Sequence, residues 1–294
     1  MAETDNNQPD RAKSGNTVSI NFQYKSRLFE MIFSRRENLL ELYNAVNDSH
    51  YTHSEDLVIN TLENAVYMSM RNDISFLFDT RLNLYEHQST WNPNLPFRFL
   101  EYIADLFSKI TKDENIYGRT KLSLPTPKFI IFYNGIEEKP DQMTLKLSDL
   151  YEIPEDQPEL ELKAVMFNIN RGHNKKLMNV CKSLQDYAEY TARVREYSGT
   201  MRIKDAVEKA VTECIRENIL KDFLSGNRAE AIKMSIYEYD QEKHMRMERR
   251  DSFKEGKISA QKEIAVRMHE KGLENFKIAE YLDVSLQDVQ EWIS

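Results

Sequence analysis

Arg71-Asn72-Asp73-Ile74-Ser75-Phe76-Leu77-Phe78-Asp79-Thr80-Arg81-Leu82-Asn83-Leu84-Tyr85-Glu86-His87-Gln88 is the stretch whose reading decides the fold. Ile74 to Phe78 and Leu82 to Ser89 read as strands, and the short polar pair Asp79-Thr80 between them makes an antiparallel hairpin. A two-residue loop sets Phe78 opposite Arg81, Leu77 opposite Leu82, Ser75 opposite Leu84 and Asp73 opposite Glu86. A four-residue loop centred on the same pair keeps that register. A three-residue loop shifts the pairing by one and sends the two carboxylates to opposite faces. Asp-Thr is a poorer tight-turn pair than Asn-Gly.

In the favoured register the two acidic side chains have Cβ atoms about 5 Å apart. Like charges so placed are destabilising unless compensated, and a divalent cation is the simplest compensation. Hard oxygen ligands suit Mg2+ or Mn2+. Gln88 lies two residues beyond Glu86 and shares its face, where an amide can position a water. The His87 side chain points the other way, with its backbone carbonyl still within reach of an ion. Asp73, Glu86 and His87 are therefore the expected metal ligands. Acidic residues on neighbouring strands also arise from plain solvent exposure, so spacing alone does not settle the site.

Upstream, residues 1–20 are polar and are expected to be a disordered leader. Tyr24 to Val46 has helical apolar spacing, as one helix or two broken near Ser34–Arg36. Leu62 to Met70 is a further expected strand. Downstream, Pro93 and Pro96 end the β-rich block, and Phe97 to Ile110 reads as a helix. Lys128 to Tyr133 and Leu160 to Ile169 read as strands, the first fully buried. From Asn174 onward the pattern is helical: one helix marked by Leu177 to Tyr187, and another marked by Ile203 to Phe223 and stopped near Gly226. Tyr237 to Lys262 is dense in charge and reads as an exposed helix or a linker. The expected division is 1–20, 21–200, a helical extension and charged linker over 201–262, and a small helix-turn-helix-like unit over 263–294.

The 294 residues are 40% hydrophobic, enough for a sizeable core, and carry a formal net charge of −8. That total is unusual for a chain that binds DNA, although a local basic patch can coexist with it. Basic residues cluster at Arg35–Arg36, Arg171–Lys176 and Lys243–Arg250. No apolar run is long enough to span a bilayer and no signal-like N-terminus is present, so a cytoplasmic protein is expected. Cys181 and Cys214 fall on apolar helical positions without Cys or His at ligand spacing, and read as buried free thiols. No glycine-rich phosphate loop is present, so no nucleotide cofactor is expected.

Three segments carry a family resemblance: MRNDISFLFDTRLNLYEHQSTWNPNLPFRFLEYIADLF over 70–107, LPTPKFIIFYNG over 124–135 and FNINRGHNKKLM over 167–178. Together they resemble the recombination-promoting nuclease and transposase-associated branch of the PD-(D/E)XK superfamily. The likeness extends from Tyr24 to about Tyr190. It implies an α/β fold with a restriction-endonuclease-like mixed sheet flanked by helices, here followed by an all-helical C-terminal region. It also implies a Mg2+- or Mn2+-dependent DNA endonuclease connected with recombination or mobile elements. By motif position Asp73 matches the first acidic residue, and Glu86 with Gln88 matches the (D/E)-x-K half, so Asp73, Glu86 and Gln88 are the expected catalytic set. Gln88 departs from the usual Lys, and a neutral amide supplies neither its charge nor its proton chemistry. An acidic residue from the first helical region often joins the set; Glu41 is the expected one, with Glu37 next. Arg98 and Tyr102 match an R-x-x-x-Y pattern, which places Arg98 on a substrate phosphate. Cutting both strands requires two active sites, so a homodimer on DNA is expected.

Near the C-terminus, Ala279, Leu282, Val284, Val289 and Ile293 have helix-turn-helix spacing, with the turn at Asp283-Val284-Ser285 and Ser285 as the cap of the second helix. That second helix carries Asp288 and Glu291 and no Lys or Arg. Protein contact or packing is therefore expected of it before DNA reading.

Overall fold

The computed structural model of the chain describes residues 27–59 and 73–293. The expected leader, the strand at 62–70 and most of Tyr24–Arg27 lie outside those residues. The first helical region is two helices, α1 (Arg27–Phe33) and α2 (Arg36–Asn47), broken at Ser34–Arg35 as expected.

The hairpin forms in the expected register. β2 (Ile74–Phe78) and β3 (Arg81–Gln88) pair antiparallel, with Phe78 opposite Arg81 and Ile74 opposite Tyr85. The loop is the two residues Asp79 and Thr80, with φ of 47° and 58°. Positive φ at both central positions is the type I′ requirement, whose twist matches that of the paired strands. Tyr51 donates from its hydroxyl to Asp79 at 2.9 Å, which helps hold the turn.

The sheet has six strands in the order β1-β2-β3-β4-β6-β5, where β1 is Val58–Ile59, β4 Thr126–Tyr133, β5 Gln142–Lys146 and β6 Lys163–Asn168. β3, β4 and β6 run parallel, and β1, β2 and β5 pair antiparallel with their neighbours. The sheet is thus mixed. β5 was not expected; it is an edge strand that buries only Leu145, so it lacks the apolar run that marks β4 and β6.

Alternation along β2 and β3 assigns the two faces. Ile74, Phe76, Phe78 and Tyr85 join α1 and α2 in one core, which also takes in Phe132 of β4. Leu82 and Leu84 join the other core, covered by α3 (Leu95–Ile110) through Leu95, Phe99, Tyr102 and Leu106. Both faces are covered, so β3 buries six consecutive residues from Leu82 to His87. Asp73, Glu86 and Gln88 share the parity of Leu82 and Leu84, which aims them to the α3 side.

Two expected helices are each divided. Lys175–Val180 (α4) and Lys182–Ser198 (α5) are separated at Cys181, whose backbone is extended at φ −124°, ψ 92°. The carboxylate of Glu41 from α2 accepts the backbone N–H of Lys182 at 2.8 Å and of Ser183 at 3.2 Å, so a new helix starts there. Cys181 therefore sits between helices and not within one. Ile203–Arg216 (α6) and Lys221–Gly226 (α7) are separated by Asn218 and Leu220, both at positive φ. Val207, Ala210, Val211, Phe223 and Leu224 of this pair belong to the same core as α1 and α2, so the helices beyond residue 201 pack onto the sheet-bearing body. Cys181 and Cys214 are buried free thiols, each pushed up to about 12, chiefly by burial.

The charged stretch is helical. α8 runs from Arg228 to Glu270, 43 residues. It ends against α9 (Asn275–Leu282) and α10 (Leu286–Ile293), which form a small core of Ala265, Ile278, Ala279 and Val289. The turn runs through Asp283 at φ 51°. Ser285 Oγ accepts the N–H of Asp288 at 3.0 Å, the expected cap. Among the described residues no helix is long and apolar enough to cross a membrane.

Candidate active site

Asp73 stands one residue before β2 and, by the paired register, opposite Glu86. One of its oxygens accepts the backbone N–H of His87 at 2.6 Å, which ties the start of β2 to β3 at the site. Glu86 is 2% exposed. Its Oε1 accepts a hydrogen bond from Arg98 Nη2 at 2.6 Å and from Gln88 Nε2 at 3.3 Å. Its Oε2 is buried and has no hydrogen-bond partner among the described residues. Leaving a buried acceptor unpaired costs about 1–3 kcal/mol or more when the group is charged.

Arg98 comes from α3, four residues before Tyr102, so the two share a helix face. Its Nε and Nη2 both donate to the Tyr102 hydroxyl, at 3.2 and 2.8 Å. The like-charge problem posed by Asp73 and Glu86 is thus met in this structure by a guanidinium. The sequence reading took a divalent cation as the simplest compensation, because spacing does not reveal where α3 lands on the sheet. Tyr102 is 2% exposed, so it acts through Arg98 and not on a ligand in solvent.

Burial, then the Asp73 carboxylate, push the Glu86 carboxyl well above the usual range, against the pull of Arg98. Burial also opposes the Arg98 charge, but Glu86, Tyr102 and Asp73 together hold the guanidinium above its ordinary value. Arg98 therefore stays cationic and Glu86 is the member of the pair whose charge varies. The Tyr102 hydroxyl is raised as well, by burial and then by Glu86.

His87 faces away from this group. Its ring stacks on Phe29 at 4.9 Å, and its Nε2 lies 2.9 Å from the Tyr187 hydroxyl. Burial, then Arg195, push its imidazole down to about 3. It is neutral near pH 7 and belongs to the α1–α5 side of the sheet, so only its backbone faces the acidic pair. Glu41 is engaged at the α5 N-terminus, also through the Ser183 hydroxyl; the charges that bear on Glu86 are Asp73 and Arg98. The structure brings together Asp73, Glu86, Gln88, Arg98 and Tyr102.

One polar group escaped the sequence reading. Asn134 and Asn168, each 1% exposed, close the buried runs of β4 and β6. Arg195 of α5 donates to the Asn134 side chain and carbonyl and to Asn170 Oδ1. Asn134 N–H also donates to the Gln88 carbonyl at 2.8 Å, joining this network to the site-bearing strand. The available signal was an Asn ending each of two apolar strand runs.

The carboxylates here would be the donors to a divalent cation. Mg2+ commonly keeps several waters and takes one or two protein carboxylates, and Asp73 with the unpartnered Glu86 Oε2 offers that set. No group of three or more His, Cys, Asp or Glu side chains is arranged for a metal among the described residues, so any ion here relies on two carboxylates with amide, backbone or water oxygens. No family model, no curated protein and no solved structure matches the chain.

Proposed function

We propose that the chain is a Mg2+- or Mn2+-dependent DNA endonuclease on a restriction-endonuclease-like sheet, acting in the cytoplasm on recombination or mobile-element DNA. The observation that carries the reading is the buried Glu86 carboxyl, set opposite Asp73 by the strand register, with Oε2 lacking a hydrogen-bond partner among the described residues and Gln88 and Arg98 on Oε1. Asp73 and Glu86 would hold the ion, which would supply Lewis acidity toward a phosphate oxygen and an attacking water. Gln88 orients that water. Its amide is not basic, so the attacking water's proton passes to bulk water as the new P–O bond forms, and the leaving ester oxygen takes a proton from bulk water as its P–O bond breaks. Arg98 would meet a phosphate oxygen from α3, with Tyr102 bonded to its guanidinium. Resemblance of the three quoted segments to the PD-(D/E)XK branch supports the substrate class.

A second reading has its own support. Arg98 already neutralises Glu86, and Gln88 replaces the usual Lys. Both fit a DNA-binding or assembly protein that keeps the fold without efficient cleavage.

Plasmid nicking with Mg2+ or Mn2+ separates the readings. The wild type is expected to nick. Asp73→Ala and Glu86→Ala are each expected to lose more than about 100-fold, since even outer partners of metal ligands cost 10–100-fold. Nicking that survives both substitutions excludes the site. DNA binding without nicking under either ion favours the second reading.

A further inference from the structure

Charge is sorted by face along the middle of α8. Lys243, Arg246, Arg250, Lys254 and Lys257 recur at steps of three or four residues, which stacks them along one side of a helix. At 1.5 Å per residue the stripe is about 21 Å long. Glu248, Asp251 and Glu255 follow the same rhythm on a neighbouring face, where Glu248 takes His244 Nε2 at 3.3 Å. Asp240, Glu242 and Asp251 stand three or four residues before Lys243, Arg246 and Lys254, so acidic residues flank the stripe while its own line carries cations alone.

The stripe faces solvent. Every residue from Arg250 to Ala260 is exposed, as are Lys243 and Arg246. Arg250 reaches Asp251 at 3.5 Å and Arg246 lies over the Tyr239 ring. Lys243, Lys254 and Lys257 form no ion pair among the described residues. Residues 243–262 hold seven Lys or Arg against three Asp or Glu, in a chain of net charge −8. The same side continues into Gln261, which donates to the Leu282 carbonyl at 2.9 Å, and Ala265, buried against α9 and α10. The stripe therefore runs between the sheet-bearing body and the terminal helical unit.

A row of cations about 21 Å long on an exposed rod complements a polyanion of dense, regularly spaced charge. Duplex DNA presents one negative charge per about 1.7 Å of axis. Arg and Lys also reach guanine edges, but a stripe of cations alone gains chiefly from phosphate charge, which every duplex sequence presents alike. We infer that this face of α8 is a sequence-independent docking surface for the duplex DNA backbone. The inference rests on the nuclease reading for its substrate class and extends it to where that substrate is held.

Binding of a labelled random-sequence duplex to the full-length chain, in EDTA across a salt series, tests it. K243Q/K254Q/K257Q is expected to bind about tenfold or more weakly near physiological salt. Its slope of log affinity against log salt should be shallower by about 2.7, at 0.9 per phosphate contact. The matching Lys→Arg triple variant is expected to keep both. Unchanged affinity and slope with intact helicity overturns the inference. So does loss of binding to phosphatidylserine vesicles, or dissociation of a dimer, with DNA affinity unchanged. Nicking by the wild type is scored separately: stripe-dependent binding without nicking supports the surface and removes only the nuclease reading.

Discussion

Holding the Glu86 carboxyl in a buried place beside Asp73 fixes the sign of a pH dependence. Its folded-state value lies above its ordinary one because burial first, then Asp73, disfavour the charge. Between the two values the folded chain binds more protons than the unfolded chain, so stability falls as pH rises through that window. In EDTA, the wild type should lose stability between about pH 5 and pH 8 relative to Glu86→Gln, which removes the titration. Parallel pH slopes in urea unfolding would contradict this assignment. Gln88 makes a second prediction. Its Nε2 sits 3.3 Å from Glu86 Oε1, so Gln88→Lys brings an ammonium to that oxygen and draws the carboxyl back toward its usual range. The nicking rate is expected to rise about tenfold or more, since proton-transfer groups contribute about 10²–10⁴-fold; an unchanged rate would show that the amide suffices.

The β2–β3 hairpin is the element that creates the site, and it was legible because period-two alternation and a two-residue polar loop leave one register consistent with a buried face. Its turn also carries removable strain. Thr80 is β-branched at φ 58°, so Thr80→Gly should stabilise the chain by about 1 kcal/mol in urea unfolding, with the site unaltered. The opposite holds at Gly135, just after β4. A Cβ there would stand 2.4 Å from the Tyr133 hydroxyl oxygen, and that hydroxyl hydrogen-bonds both the N–H and the carbonyl of Glu137. Gly135→Ala should cost about 1–3 kcal/mol; a neutral result would mean that the loop shifts freely. β5 and the breaks at Cys181 and Asn218–Leu220 were not legible. An edge strand has little apolar signature, and the breaks arise where a distant carboxylate, Glu41, or residues at positive φ interrupt a continuous helical pattern. The pairing of Arg98 with Glu86 was hidden for the same reason, since it depends on how α3 packs over the sheet.

Across the whole molecule, two cores sandwich the sheet, and a third, small one lies at the far end of α8. The α/β body and the helical C-terminal region were legible from the change of hydrophobic period. The continuity of α8 was not, because an exposed charged helix and a linker have the same composition. The small terminal core has few members, so Val289→Asp should unfold α9 and α10 while leaving the main unfolding transition in place; loss of the main transition would show that the two are one cooperative unit. The central claim, that Asp73 and Glu86 share a cation, is reached most directly by anomalous diffraction from crystals soaked in Mn2+. The account predicts a manganese peak between the Asp73 carboxylate and Glu86 Oε2, with Arg98 released from Glu86. Fully soaked crystals with no peak there, and Arg98 still bonded to Glu86, would contradict it.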